Sequence, residues 1–108
     1  MKTYLGKAPH GVVVRTADGK TRALSLFLQV RNHSETGFSW GYGGSGPAQL
    51  ALALCMESVG RRRALYVYQD FKFAVIAKLL PGQDWELTEQ QVRMAIESIE
   101  TSYRYVAP

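Results

Sequence analysis

The chain has 108 residues, 46% of them hydrophobic and 20% charged. That balance belongs to an ordinary folded domain with room for one modest core, and it excludes a disordered segment. The longest wholly apolar run, Leu50 to Met56, is far short of the roughly 20 residues of a membrane span, and Met1 to Lys7 lacks the apolar stretch of a signal peptide. A single cysteine, Cys55, excludes an internal disulfide and a multi-cysteine zinc site, so a reducing, cytoplasmic setting is the expectation. The net charge of +4 is mild and offers no extended basic face for nucleic acid.

The first third reads as strands. Lys2 to Gly6 is a short candidate, and Gly11-Val12-Val13-Val14-Arg15 is a stronger, β-branched one. Asp18-Gly19 is a two-residue hairpin turn signal, which folds the chain back through Thr21 to Leu24. Leu24 to Val30 has only Ser25 and Gln29 as polar positions and is also read as strand, although seven residues do not separate strand from helix by periodicity.

The second half reads as helices. Ser45-Gly46 leads into Pro47 at an expected first helical position, and from Ala48 to Val59 only Gln49, Glu57 and Ser58 are polar. This 47–59 helix is therefore covered on most sides and central, with Gly60 as its stop. A second helix is expected from about Arg62 to Leu80, closed by Pro81-Gly82. Asp84 to Leu87 alternates like a strand, and Thr88-Glu89-Gln90-Gln91 is a capping box for a third helix. Val92, Ala95, Ile96, Ile99 and Tyr103 line one face of that helix, with Glu89, Arg93, Glu97 and Glu100 largely opposite. Strands followed by helices predict an α+β fold: a small antiparallel sheet, made of the N-terminal hairpin strands and a strand near 84–87, packed with three helices in one domain spanning 1–108.

Between these halves lies Asn32 to Ala48, NHSETGFSWGYGGSGPA, which holds five of the ten glycines interleaved with Phe38, Trp40 and Tyr42. Trp40 is expected buried as the loop's anchor and Tyr42 freer at the edge, because the glycines that follow leave Tyr42 little to pack on. Gly41-Tyr42-Gly43-Gly44-Ser45-Gly46 matches the glycine pattern of dinucleotide sites, but a helix follows where that unit needs a strand, and no Lys-Ser/Thr pair makes it a phosphate loop. Ser45 opens a helix and is most simply a cap or a cap-adjacent hydrogen-bonder. His33, beside Asn32, Ser34 and Glu35, is the one residue with the minimum for acid–base work, against the simpler role of hydrogen-bonding its own loop. His10 reads as a turn residue. Two histidines 23 positions apart make no metal site, and no cofactor is implied. Cys55, mid-helix among leucines, reads as core. Arg61-Arg62-Arg63 is suited to phosphate, an acidic protein surface or the carbonyls of the preceding helix, and Tyr103-Arg104-Tyr105-Val106 to partner docking or, equally, to docking back onto the protein's own strands.

The motif from Asn32 to Leu54, N-H-S-x-T-G-F-x-W-G-Y-G-G-S-G-P-A-Q-L-A-L-A-L, resembles the hallmark of a family of small uncharacterised bacterial proteins, a domain of unknown function often found on phages, prophages and plasmids. Looser likeness extends to Tyr4-Leu5-Gly6, Tyr68-Gln69-Asp70-Phe71-Lys72 and Trp85-Glu86-Leu87-Thr88. The resemblance implies a genomic setting, with no catalytic residues to carry over. In that setting the expectation is a non-enzymatic binding protein acting on a host protein complex, such as a CRISPR effector, in the bacterial cytoplasm. Its surface would be built from His33, Phe38, Tyr42, Ser45, Arg61, Arg62 and Arg63. The alternative is a small ligand- or nucleotide-binding module or enzyme using His33 and the Gly41–Gly46 loop at a helix N-terminus.

Overall fold

The computed structural model describes residues 1–104, in the order β1 (Thr3–Lys7), β2 (Gly11–Arg15), β3 (Thr21–Ala23), α1 (Ser45–Val59), α2 (Arg61–Ala74), a 3₁₀ turn (Ile76–Lys78), β4 (Trp85–Thr88) and α3 (Glu89–Arg104). The strands form one antiparallel sheet in the order β3-β2-β1-β4, so the last strand returns to pair with the first. The fold is α+β, as the order of elements in the sequence implies. Tyr105 and Val106, part of the C-terminal docking segment anticipated from sequence, lie outside the described residues.

Strand alternation sends Tyr4, Gly6, Val12 and Val14 to the buried face, where Tyr4 pairs with Val14 and Gly6 with Val12. The Tyr4 hydroxyl is hydrogen-bonded to Ser58 Oγ of α1 at 2.7 Å, and burial pushes its pKa up to about 12. Trp85 of β4 lies across Gly6: a Cβ there would stand 2.2 Å from the indole ring, so only glycine leaves room. At the sheet edge Arg22 forks onto Glu57 of α1 with two bonds of 3.0 Å, and Lys2 Nζ adds a third at 3.0 Å. Burial alone would push the Glu57 carboxyl up, but these hydrogen bonds outweigh it and hold the pKa below its ordinary value.

Two expectations about the strands are corrected. The β2–β3 turn is a three-residue loop, because Thr16 N–H donates to Lys20 O at 2.8 Å. Within it Gly19 takes φ 85°, the left-handed position that closes such loops. Leu24 to Val30 is not a strand. Leu24 N–H donates to Val12 O at 3.0 Å and the chain then leaves the sheet, turning at Phe27, which has φ 54°. Leu24 and Val30 are nevertheless buried, so the apolar run fills the core without joining the ladder.

The helices follow from the same chemistry. α1 is buried continuously from Pro47 to Cys55, and burial pushes the Cys55 thiol pKa up. The helix starts at Ser45, which makes Pro47 its third residue, not its first; proline is tolerated there because the first four amides have no intrahelical acceptor. α2 ends at Ala74 instead of reaching Leu80. Val75 leaves helical geometry, and the Ile76 carbonyl accepts the Gly41 N–H at 3.0 Å, tying the 3₁₀ turn to the glycine loop. The capping box is formed reciprocally: Gln91 N–H donates to Thr88 Oγ1 at 3.0 Å, and Thr88 N–H to Gln91 Oε1 at 2.8 Å. Glu89, placed on the outer face from sequence, is buried because it accepts from the Lys2 amide and from Arg93. No described helix is long and apolar enough to cross a membrane.

Candidate functional site

The glycine loop is positioned from within by one polar side chain. Gln49, fully buried on α1, accepts from the amides of His33 (2.7 Å) and Ser34 (3.0 Å) and donates to the carbonyls of Leu26 and Arg31. All four hydrogen-bonding positions of its amide are filled by loop backbone, so the segment from Leu26 to Ser34 is held on α1 without secondary structure of its own.

Beyond this tether Phe38 and Trp40 turn inward. The Trp40 indole N–H donates to Gln83 O at 3.0 Å, and the ring meets Trp85 edge-on with centroids 5.6 Å apart. Phe38 is 5% exposed, which corrects its place in the anticipated docking surface: it is a core residue. Tyr42 is 53% exposed, and its hydroxyl is hydrogen-bonded to Ser39 Oγ at 2.8 Å.

The glycines explain why this surface holds its shape. Gly41 takes φ 91°, and Pro81 occupies the space where a Cβ would go, 2.6 Å from it. A Cβ on Gly43 would stand 3.0 Å from the Phe73 ring, and one on Gly44 2.5 Å from the Tyr42 ring. Pro81, Phe73 and Tyr42 are thus seated on three glycines, Gly41, Gly43 and Gly44. Phe73, 57% exposed, and Leu80, beside Pro81, extend the apolar area beyond the loop. Phe73 and Leu80 are absent from the surface read from sequence. No local pattern relates them to the loop: Phe73 meets Gly43 from the last turn of α2, and Leu80 follows the 3₁₀ turn.

The other anticipated residues are dispersed. His33 Nε2 is hydrogen-bonded to the Tyr68 hydroxyl at 2.8 Å, and Glu35 accepts instead from the Asn32 amide at 3.0 Å, so no His33–Glu35 pair forms. Ser45 lines a cleft of about 550 Å³ at the start of α1 with Ser34, Thr36, Ser39, Tyr42 and His10. His33 does not line this cleft. His10 does, with Nδ1 3.1 Å from Phe38 O, although it reads from sequence as a plain turn residue. The three arginines open α2 and do not cap α1, whose Met56 carbonyl accepts the Gly60 N–H. Arg63 forks onto Glu100 of α3 at 2.9 and 2.6 Å, and this pairing holds the Glu100 carboxyl pKa low. Arg62 lines a separate groove between α2 and α3 with Arg104 and Tyr66. Arg61 is exposed at the start of the helix. Tyr103 is hydrogen-bonded to Asp70 and meets Tyr66 edge-on; its pKa rises to about 12, through burial first and the Asp70 hydrogen bond second.

Among the described residues no three His, Cys, Asp or Glu side chains group closely enough to hold a metal ion. The glycine-pattern reading gains nothing from the geometry, since Gly43 is covered by Phe73 and α1 is followed by α2.

No curated protein and no solved structure matches the chain. A family model does, across residues 4–98, a span holding all the strands but for Thr3, α1, α2, most of α3 and the whole glycine loop. The chain therefore belongs to the family of unknown function DUF6166.

Proposed function

We propose that this protein acts by binding another protein, and that it docks through the glycine-loop face carrying Tyr42, Phe73 and Leu80. The observation behind this reading is the seating of two exposed aromatic rings on adjacent glycines, Tyr42 on Gly44 and Phe73 on Gly43. Aromatic anchors held in place before docking lose little conformational freedom on binding, and such residues commonly dominate interface energetics. The genomic setting implied by the resemblance makes a host protein complex the partner class, with inhibition of a defence system such as a CRISPR effector as its finer form.

Affinity capture from host cells tests the reading, with the wild-type chain compared against Tyr42→Ala/Phe73→Ala. Both side chains are more than half exposed, so the double variant should keep a melting temperature within a few degrees of wild type while losing a specific partner. Capture of the same proteins in the same amounts would contradict it.

The alternative, a small-ligand site at the start of α1, rests on the hydroxyl-lined cleft around Ser45 and passes from His33 to His10. Titration of the labelled protein with inorganic phosphate and with ATP tests that reading by whether amide shifts concentrate at residues 44–46 and at His10.

A further inference from the structure

Lys72 lies on the buried stripe of α2, one turn beyond Tyr68 and two beyond Ala64. It is 8% exposed, yet among the described residues its ammonium has no carboxylate partner and no hydrogen-bond acceptor. Its one close electrostatic contact is the Phe73 ring, whose centroid is 4.2 Å from Nζ. Among the described residues the only fully enclosed side-chain N or O without a partner is Trp85 Nε1, so Lys72 Nζ keeps a small opening to solvent. The stem is packed away and the charge emerges beside Phe73, as long basic side chains commonly arrange themselves.

This arrangement constrains whatever covers Phe73. A partner seated on the ring removes the remaining water from Nζ, and a desolvated ammonium needs an ionic or hydrogen-bonding acceptor. A ring face offers only part of what water gave. The described residues supply no acceptor, so the partner has to bring one. Building on the docking reading above, we infer that the partner presents a carboxylate side chain next to an apolar or aromatic one: the acid pairs with Lys72 Nζ while its neighbour covers Phe73 and Tyr42. Lys72 is then a specificity-determining residue, since a partner that is apolar alone strands the charge.

Panning a random-peptide phage library on the immobilised full chain tests this before any natural partner is identified. Wild type should select peptides with Asp or Glu beside an aromatic or aliphatic residue. Lys72→Met, which keeps a straight apolar stem, should bind those peptides at least about tenfold more weakly and cease to select the acid, whereas Lys72→Arg should retain both. Replacing the acid in a selected peptide by its amide should weaken binding to wild type by a similar factor, a readout that needs no protein variant. Selected peptides without an acid, or equal binding of the acid and amide forms, would overturn the inference. If binding nonetheless falls in Tyr42→Ala/Phe73→Ala, the docking face stands and only its acidic complement fails. Peptides that ignore the Tyr42 and Phe73 substitutions, or no selection at all, would count against both.

Discussion

Two polar side chains of α1, one under the glycine loop and one at the sheet edge, each make a measurable claim. Gln49 is the one polar residue in the buried run Pro47–Cys55, and its position is explained by four backbone partners in the Leu26–Ser34 segment. Gln49→Leu would keep the volume while leaving two amides and two carbonyls without partners. Each partly buried orphan costs on the order of 1–3 kcal/mol, so a total loss of about 3 kcal/mol or more is expected by chemical denaturation. Hydrogen exchange at the His33 and Ser34 amides should accelerate most. Glu57 makes a claim about pH. Its folded pKa lies below the ordinary 4.5, so its stabilising contribution is full above that value and fades as pH falls below it toward the folded value. Melting curves of wild type and Glu57→Gln should therefore differ near neutrality and converge in acid. A gap that stayed constant through the acid range would mean that Arg22 and Lys2 do not set the ionisation of Glu57.

At the scale of elements, legibility tracks how local the determining chemistry is. The Thr88–Gln91 box needs only neighbours in sequence, and it forms with both hydrogen bonds. Thr88→Ala should cost about 1 kcal/mol, with amide exchange rising first in the opening turn of α3. The continuous apolar face of α1 is equally plain, because few positions in the run are polar. Leu24 to Val30 is misread as strand because apolar content reports burial and not hydrogen bonding. What diverts this segment from the sheet is Gln49, some twenty residues on. The end of α2 at Ala74 is illegible for a similar reason, since the Gly41 amide that takes the Ile76 carbonyl comes from a distant loop. Within the site, Trp40 and Tyr42 are two residues apart and alternation alone would send both to one side; Gly41, at φ 91°, turns the chain between them and leaves Trp40 inward and Tyr42 outward. The contribution of Phe73, and the burial of Phe38, depend on which elements close over the loop. Lys72 carries a readable signal, its i+4 spacing from Tyr68 and Ala64, but no spacing announces that a lysine lacks a carboxylate.

For the whole molecule, the sheet and three helices act as a mount for the glycine loop. α1 holds the loop's approach through Gln49, the 3₁₀ turn holds Gly41, and β4 holds Trp40 through Trp85. The exposed aromatic face is thus tied to three elements of the fold, the preorganisation on which the docking proposal relies. Site-specific photocrosslinking in host cells tests that claim most directly, with a benzophenone amino acid placed at Tyr42 and, as a control, at Met94 on the exposed side of α3. The account predicts a discrete adduct from position 42 that disappears when Phe73→Ala is added, and none of that size from position 94. Equal adducts from both positions, or an adduct at 42 that is indifferent to Phe73, would contradict it.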